Sequence, residues 1–503
     1  GRFGEVVAVL GDKWVDAPCL ELAPPALPSA GSASAPCASQ WRGGPSGSLP
    51  SFRIERCVAP LVKDVLQSNG MRPTTGCDWT VLWSGPRIKE GTFEAMHEFQ
   101  RVNHFPGSAE LTRKDRLWAH FHKMATSCGE DTFDFVPKSF VLPDQAEEFK
   151  EHFGEAEGIW IVKPHAGSQG KGIYLLRDLS ELPTSTRCVV SRYVDNPLLI
   201  QGLKFDLRIY VLVTSFDPLR AYIYREGLTR FASKPYSTEH EHLGDVYRHL
   251  TNYSINKRAT NFIENQKLHE DNVGHKWSLS ALNRHLRHIG VDVDYMWNEI
   301  MDLIVKALLS VEPIIARKTR GSTLHGNCFE LYGFDVLVDE DLKPWLLEVN
   351  LSPSMSAESP LDLQVKSSLL ADAFTLVGLR NVDRQVATTS RLRTRLQQLR
   401  KMNEGDPQEE EQEEEEGLLG PPSIEPEALD DMDEGTLKEL ARALDELERG
   451  SNFIRLYPTR GSIARYAGIT QARSPGEAHR ARLLAMLMYG PLLDQPLPAA
   501  APA

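Results

Sequence analysis

Residues 328–354, CFELYGFDVLVDEDLKPWLLEVNLSPS, constrain this chain most. Two apolar runs, 333–338 and 344–349, flank a polar turn at 339–342. Alternation and β-branched content predict two antiparallel strands with a short connection. Side chains two apart on a strand share a face, so Glu348 and Asn350 point the same way, and Asp335 on the partner strand reaches the same patch. Two carboxylates and an amide suit a hard cation such as Mg²⁺, which takes few protein oxygens and fills its octahedron with phosphate and water. The plainer alternative is a hairpin with solvent-facing acids. Against it, Glu348 interrupts the apolar strand WLLEVN, where an unpaired buried carboxylate would be costly.

At 503 residues the length suggests roughly three domains. No apolar run is long enough to span a membrane. The start shows neither Met nor a signal segment and reads as a mid-chain boundary. Seven cysteines with no CxxC spacing fit reduced thiols of a cytosolic protein better than a disulfide frame or a zinc site. The net charge of −13 is uneven. Residues 404–450 hold 19 acids and 3 bases, leaving 50 acids and 53 bases elsewhere, so the body is slightly basic.

Residues 1–50 are Ala/Pro/Ser/Gly-rich and read as disordered. A helix over 59–68 stops at Asn69-Gly70, a strand covers 79–83, and a second helix is expected over 93–102. Thr112 reads as the cap of a helix carrying Arg113, Lys114 and Arg116, a solvated basic helix start. A short strand over 135–143 and a polar helix over 144–153 follow. WIVKPHAGSQGKGIYLL (160–176) predicts a strand into Lys163, a Gly/Ser loop and a second strand. Such a loop lets backbone amides close on phosphate, with Lys163 and Lys171 adding charge, but it is no Walker A loop. Residues 189–194 form a strand. In KFDLRIYVLVT (204–214), Lys204, Asp206 and Arg208 share one strand face, opposite Phe205, Leu207 and Ile209. That face is either a site wall or an ordinary polar surface. Residues 222–236 read as a hairpin turning at Glu226-Gly227, with Arg230 on its second arm. HLTNYSINK (249–257) is dense in hydroxyls and amides. Its His249 reads as a hydrogen-bonded structural histidine, with a base as the alternative. Helices are expected over 277–289, over 296–311 with its end at Pro313, and over 362–377 with Gly378 as cap. Beyond 380 come a basic stretch to 401, a Glu-rich linker expected to be disordered, a helix over 436–449, a strand over 452–458, a basic helix over 478–489 and an unstructured tail, 491–503.

Taken together, NHFPGSAELTRKDRLW, WIVKPHAGSQGKGI, KFDLRIYVLVTSFDPLRAYIYREGLTRFAS, HLTNYSINK and CFELYGFDVLVDEDLKPWLLEVNLSPS resemble the tubulin-tyrosine-ligase-like family, most closely its polyglutamylase branch. The resemblance covers about residues 52–380. It implies an α+β, ATP-grasp fold holding ATP between two lobes with antiparallel sheets. A small N-terminal α/β domain (51–150) would precede the lobes (151–380). A basic microtubule-binding segment (381–403), an acidic linker (404–435) and a C-terminal extension (436–490) would follow. Carried over residue by residue, the resemblance implies that Lys163, Arg208 and Glu348 are catalytic. Lys163, with Gln169 and Gly170 in the covering loop, would meet ATP phosphates. Ser191, Arg192, Tyr193 and Val194 would be the adenine hinge. Lys204, Phe205, Asp206, Thr251 and Asn252 would line the nucleotide. Asp335, Glu348 and Asn350 would hold two Mg²⁺ ions. Arg230, Tyr253, Ser254 and Lys276 would bind free L-glutamate, and Gln169 would also face the acceptor protein.

ATP-dependent joining of a carboxylate to an amine passes through an acyl phosphate, and bound cations and Lys163, Arg208 and Arg230 would offset the crowding of anions. No side-chain nucleophile is needed, and no Ser/His/Asp or Cys/His set competes. The implied activity is glutamate ligation to tubulin tails, α-tubulin foremost, by a monomer using neither nucleic acid nor membrane, in the cytoplasm and cytoskeleton, with the cilium or basal body as a further setting. Gln169 points to chain elongation and its surroundings to initiation, which leaves that choice open. The basic stretch and GSNFIRLYP would engage the microtubule, while the Glu run stays in solvent, mimics a modified tail or is inert. The alternatives are the same fold using glycine or a non-tubulin acceptor, a microtubule-binding protein with a relic ATP site, and a small-molecule ATP-grasp ligase.

Overall fold

The computed structural model describes residues 19–25, 49–155, 158–164, 170–176, 178–183, 186–265, 272–320, 326–382 and 434–471. The expectations for the disordered start, Gln169, the basic stretch, the Glu run, the helix over 478–489 and the tail fall wholly or largely outside these residues.

Three sheets carry the described chain. The first is parallel, in the order β2 (Arg72–Pro73), β1 (Ser51–Glu55), β3 (Val81–Ser84), β4 (Arg101–Val102). Helix α1 (Pro60–Ser68) buries Leu61, Val62, Val65 and Leu66 on one stripe. It ends where the Asn69 side-chain amide donates to the Val65 carbonyl at 2.8 Å. Of the helix expected over 93–102 only Phe93 and Glu94 are helical, as the end of a short helix Glu90–Glu94. The remainder of that span yields to β4, because Val102 bridges Cys328 through backbone bonds to Asn327 and Phe329, both 2.9 Å. Helix α2 (Lys114–Cys128) is capped at Arg113, not Thr112. The Thr112 hydroxyl donates back to the Ser108 carbonyl at 3.1 Å and closes the preceding helical turn.

The second, smaller sheet is antiparallel. It contains β5 (Ser139–Leu142), β6 (Trp160–Pro164), β7 (Tyr174–Leu176) and β8 (Cys188–Arg192) in the order β5-β8-β6-β7. Helix α3 (Ala146–Glu155) packs Phe149 against Phe140 and Trp160.

The third sheet is the main one. It is built from β9 (Leu199–Ile200), β10 (Leu203–Phe216), β11 (Leu219–Phe231), β12 (Lys276–Ser278), β13 (Glu330–Val338), β14 (Pro344–Asn350) and β15 (Phe453–Tyr457). Its order is β12-β11-β10-β13-β14, with β15 beside β11 and β9 beside β10, all antiparallel. Residues 219–231 form one strand, and the hairpin turns at Asp217-Pro218. Glu226-Gly227 is a register shift, not a turn: a Cβ on Gly227 would stand 2.4 Å from the Arg208 carbonyl oxygen.

Ser278 caps helix α4 (Leu279–His288) by accepting from the Ala281 N–H. Helix α5 (Val293–Arg320) runs through Pro313, because the buried stripe continues to Ile315, Ala316 and Thr319 and packing outweighs the lost backbone bond. It shares one core with Leu207, Ile209 and Val211 on one face of β10. Helix α6 (Pro360–Val377) covers Tyr210 and Leu212 on the other face and ends in Gly378 at φ +72°.

Helix α7 (Glu434–Glu448) and β15 are built into this body. Thr214 and Arg220 donate to the buried Glu446 carboxylate at 3.0 and 3.2 Å, as does the Tyr222 hydroxyl. Phe453, Leu456 and Tyr457 of GSNFIRLYP are buried, and Ile454 is partly buried against the core. Among the described residues no helix is long and apolar enough to cross a membrane.

Candidate active site

The small sheet and the main sheet face each other across a cleft of about 880 Å³. One wall holds Ile161, Lys163 and Pro164 of β6, Gly170 and Ile173 before β7, and Arg192, Tyr193 and Val194 leaving β8. The other holds Lys204 and Asp206 of β10, Asp335 of β13 and Glu348 of β14. His249, Leu250, Thr251, Asn252 and Lys114 also belong to the lining. Gly170 is needed as glycine. Its φ is +72°, and a Cβ would lie 2.5 Å from Ile255 Cδ1 and 2.8 Å from Asn252 Oδ1.

Two cleft lysines are held far from their usual range. Lys163 is pushed down to about 8, by burial and then by the Lys114 charge, against the pull of Glu348. Burial brings Lys204 to about 7, with Asp206 opposing and Lys163 adding to the fall. Lys204 Nζ donates to the Tyr193 hydroxyl at 2.9 Å, which in turn sits 3.0 Å from His249 Nδ1. His249 Nε2 lies 3.0 Å from the His242 carbonyl, which assigns the proton to Nε2. Burial keeps this imidazole below its normal value. Both its nitrogens have partners, so the structural reading of His249 fits.

Asp335 and Glu348 are directly paired across the β13–β14 hairpin. Asn350 Nδ2 is 3.3 Å from an oxygen of each. Arg208 forks onto Asp335 at 2.6 and 3.0 Å, and Arg230 reaches the same carboxylate at 2.9 Å. Arg230 also forks onto Asp206 at 2.7 and 2.6 Å. Burial alone would raise Asp335, but the two guanidinium groups hold it well below the usual carboxylate range. Glu348 takes Lys114 Nζ at 2.8 Å.

Behind this corner, Lys276 is the cross-strand neighbour of Arg230. Its Nζ lies 3.8 Å from the Tyr253 ring centre and 2.7 Å from Asp362. Lys366 from α6 also reaches Asp362, at 3.1 Å. Arg230, Tyr253 and Lys276 are therefore brought together, with Ser254 on the same short helix as Tyr253. Of the residues expected at the hinge or lining the nucleotide, two are not in the cleft lining. Phe205 packs on Phe231 in the core behind β10, as the two-residue period of a strand requires. The Ser191 hydroxyl meets Ser139 at 2.8 Å, away from the main cleft lining. Gln169 lies outside the described residues.

The profile of the tubulin-tyrosine ligase family matches residues 93–386. This chain belongs to the tubulin-tyrosine ligase family. It is 42% identical over 344 residues to tubulin polyglutamylase TTLL5 of Mus musculus, which spans 68% of this chain and 26% of the relative. Tubulin monoglutamylase TTLL4 of Homo sapiens is 43% identical over 306 residues, spanning 60% of this chain and 25% of the relative. Tubulin polyglutamylase ttll-5 of Caenorhabditis elegans is 41% identical over 354 residues, spanning 67% and 48%. The matched region is about a quarter of the length of the mammalian relatives.

Two lysines in and behind the cleft escape sequence reasoning. Lys114 reads as a solvated base because its helix start is polar throughout, and only the fold carries it to Glu348. Lys366 had a signal: a lone lysine in the apolar helix DLQVKSSLL, which is buried here. The NHFPGS stretch proves structural. His104 and the Ser108 hydroxyl both engage the buried Glu330 carboxylate, and the Tyr332 hydroxyl donates to it at 2.7 Å. His104 Nε2 donates to the Ser84 carbonyl at 2.9 Å.

Proposed function

We propose that this chain is an ATP-dependent ligase that joins free L-glutamate to a glutamate side chain in tubulin tails. The observation that carries the reading is the convergence of Asp335, Glu348 and Asn350 opposite Lys163, in a cleft between two antiparallel sheets. ATP would lie along Lys163 and Lys204, beside Gly170 and Asn252. The hinge at Arg192, Tyr193 and Val194 would take the base.

The residues fit Mg²⁺. Asp335, Glu348 and Asn350 are hard oxygen donors on rigid strands, and the cationic position beside Glu348 is marked by the Lys114 ammonium. Holding a cation requires the Asn350 amide turned so that its oxygen faces the acids. Bound there, Mg²⁺ neutralises charge on the transferring phosphoryl group. Two ions are proposed, sharing Glu348.

The chain's own groups supply the rest. Lys163, Lys114 and Arg208 orient phosphate oxygens. Arg230 and Lys276 take the carboxylates of the incoming glutamate in exchange for part of their present pairing with Asp206 and Asp362. The terminal phosphoryl group of ATP would pass to the acceptor carboxylate with release of ADP, and the glutamate amine would then attack that acyl phosphate, giving up a proton and expelling phosphate as the amide forms. We place the enzyme with microtubules in the cytoplasm or cilium, as a monomer.

The test is incorporation of labelled glutamate, with labelled glycine alongside, into microtubules with ATP and Mg²⁺. Glutamate incorporation that disappears in Glu348→Gln is expected. Glycine incorporation alone would reassign the donor. Loss of neither label in Glu348→Gln would remove the acid corner from the chemistry.

A further inference from the structure

A second polar pocket, of about 640 Å³, lies outside the cleft, where α7 meets the main sheet and the end of α6. Five arginines line it: Arg101, Arg220, Arg380, Arg442 and Arg449. Four of them are matched by acids. Arg220 takes Glu446 at 3.2 Å and Glu439 at 2.8 Å, and Arg442 takes Glu439 at 2.6 Å and Glu98 at 3.2 Å. Arg380 and Arg449 share the single carboxylate of Asp445, at 2.7 and 2.5 Å. Arg101 is the surplus charge. It is 9% exposed, donates to the backbone carbonyls of Glu98 and Gln100 at 2.7 and 3.0 Å, and forms no ion pair among the described residues. Burial and three neighbouring arginines press its guanidinium down to about 9. A buried cation without a counter-ion is costly, and one oxyanion among these groups would remove the cost. Planar guanidinium forks match the oxygens of carboxylates and phosphates, and a phosphate-type anion offers oxygens to more than one fork at once.

We propose that this pocket binds a small phosphate-type oxyanion, as free phosphate or as a phosphomonoester, that bridges Arg101 to Arg442 on α7 and Arg449 just past its end. The site is independent of the ligase reading. Its ligand ties α7 to the sheet and the end of α6, so occupancy strengthens the seat of the segment that follows the Glu run.

The test is equilibrium dialysis of radiolabelled inorganic phosphate against the full chain, with saturating ATP and in Lys163→Ala, so that the cleft does not contribute. One phosphate per chain is expected in both conditions. Arg101→Gln should weaken it by about tenfold or more, the scale of a lost charged hydrogen bond. Arg442→Gln, at the more open rim, is the second variant should Arg101→Gln not fold. Competition by phosphoserine would show that a monoester also fits, and failure to compete would restrict the site to free phosphate. Phosphate binding that vanishes with ATP, or that both arginine variants leave unchanged, would overturn the proposal. So would binding of a glutamate oligomer in place of phosphate.

Discussion

Binding of ATP at pH 8 is expected to draw protons onto this protein. Lys163 stands at about 8, because burial and Lys114 disfavour its ammonium form. At pH 8 it is therefore roughly half charged. A triphosphate laid against it supplies the missing counter-charge and moves the group back toward the ordinary lysine value of about 10.4. Lys163 then takes up roughly half a proton, and a full return of its pKa corresponds to ~3 kcal/mol of preferential interaction with the charged form. Lys204, at about 7, contributes separately if the nucleotide charge reaches it. Calorimetric titration with ATP in buffers of different ionisation enthalpy gives the proton count directly. Lys163→Met should lower that count by about half a proton at pH 8. An equal count in the variant would show that Lys163 is not poised at this value or does not meet the phosphates.

Three further outcomes follow from the same contacts. Glu348→Gln should fold normally, since Glu348 is only partly buried, yet lose turnover; a well-folded variant with full turnover would contradict the acid corner. Arg230→Ala should cost roughly 3–5 kcal/mol in denaturant unfolding, because Asp206 and Asp335 are buried and both depend on it; a loss below about 1 kcal/mol would match a surface pair and refute this account. His104 is raised above its ordinary value: burial opposes its charge, but Glu330 outweighs burial. The pair's contribution is full below about pH 6.5 and is lost as pH rises through the folded value. His104→Gln should flatten that part of the stability-against-pH curve, and an unchanged curve would show that His104 does not titrate with folding.

Much of the cleft was legible because strands encode it with a period of two. The Asp335–Glu348 pairing and the shared face of Lys204, Asp206 and Arg208 follow from alternation alone. What failed was decided by distant contacts. Pro313 marks a helix end in sequence, yet burial of Ile315 and Ala316 carries α5 past it. Glu226-Gly227 has turn chemistry, yet Gly227 is there because the Arg208 carbonyl leaves no room for a Cβ. Residues 93–102 have helical spacing, yet Val102 completes a bridge to Cys328, more than two hundred residues away in sequence. Lys114 and the α7 carboxylate Glu446 look like ordinary surface charges until the fold gives each an opposite charge.

The pairings also explain how one cleft can gather so many like charges. Asp335 already faces Arg208 and Arg230, and Glu348 already faces Lys114. A bare divalent cation entering this corner would have to set three positive side chains aside, at the cost of leaving Lys114 and Arg208 without these partners and Arg230 with Asp206 alone. An anion alone would compete with the acids for the same side chains. A cation arriving together with a polyphosphate avoids both penalties. The acids exchange ammonium and guanidinium partners for the cation, and Lys114 and Arg208 exchange carboxylate for phosphate, so no charge is left unpaired. The same exchange applies one layer deeper, where a donor carboxylate would replace Asp206 or Asp362 on Arg230 or Lys276. On this accounting the proposed ligands would bind as neutralising sets, and the order in which they enter would be governed by which internal pair each one releases.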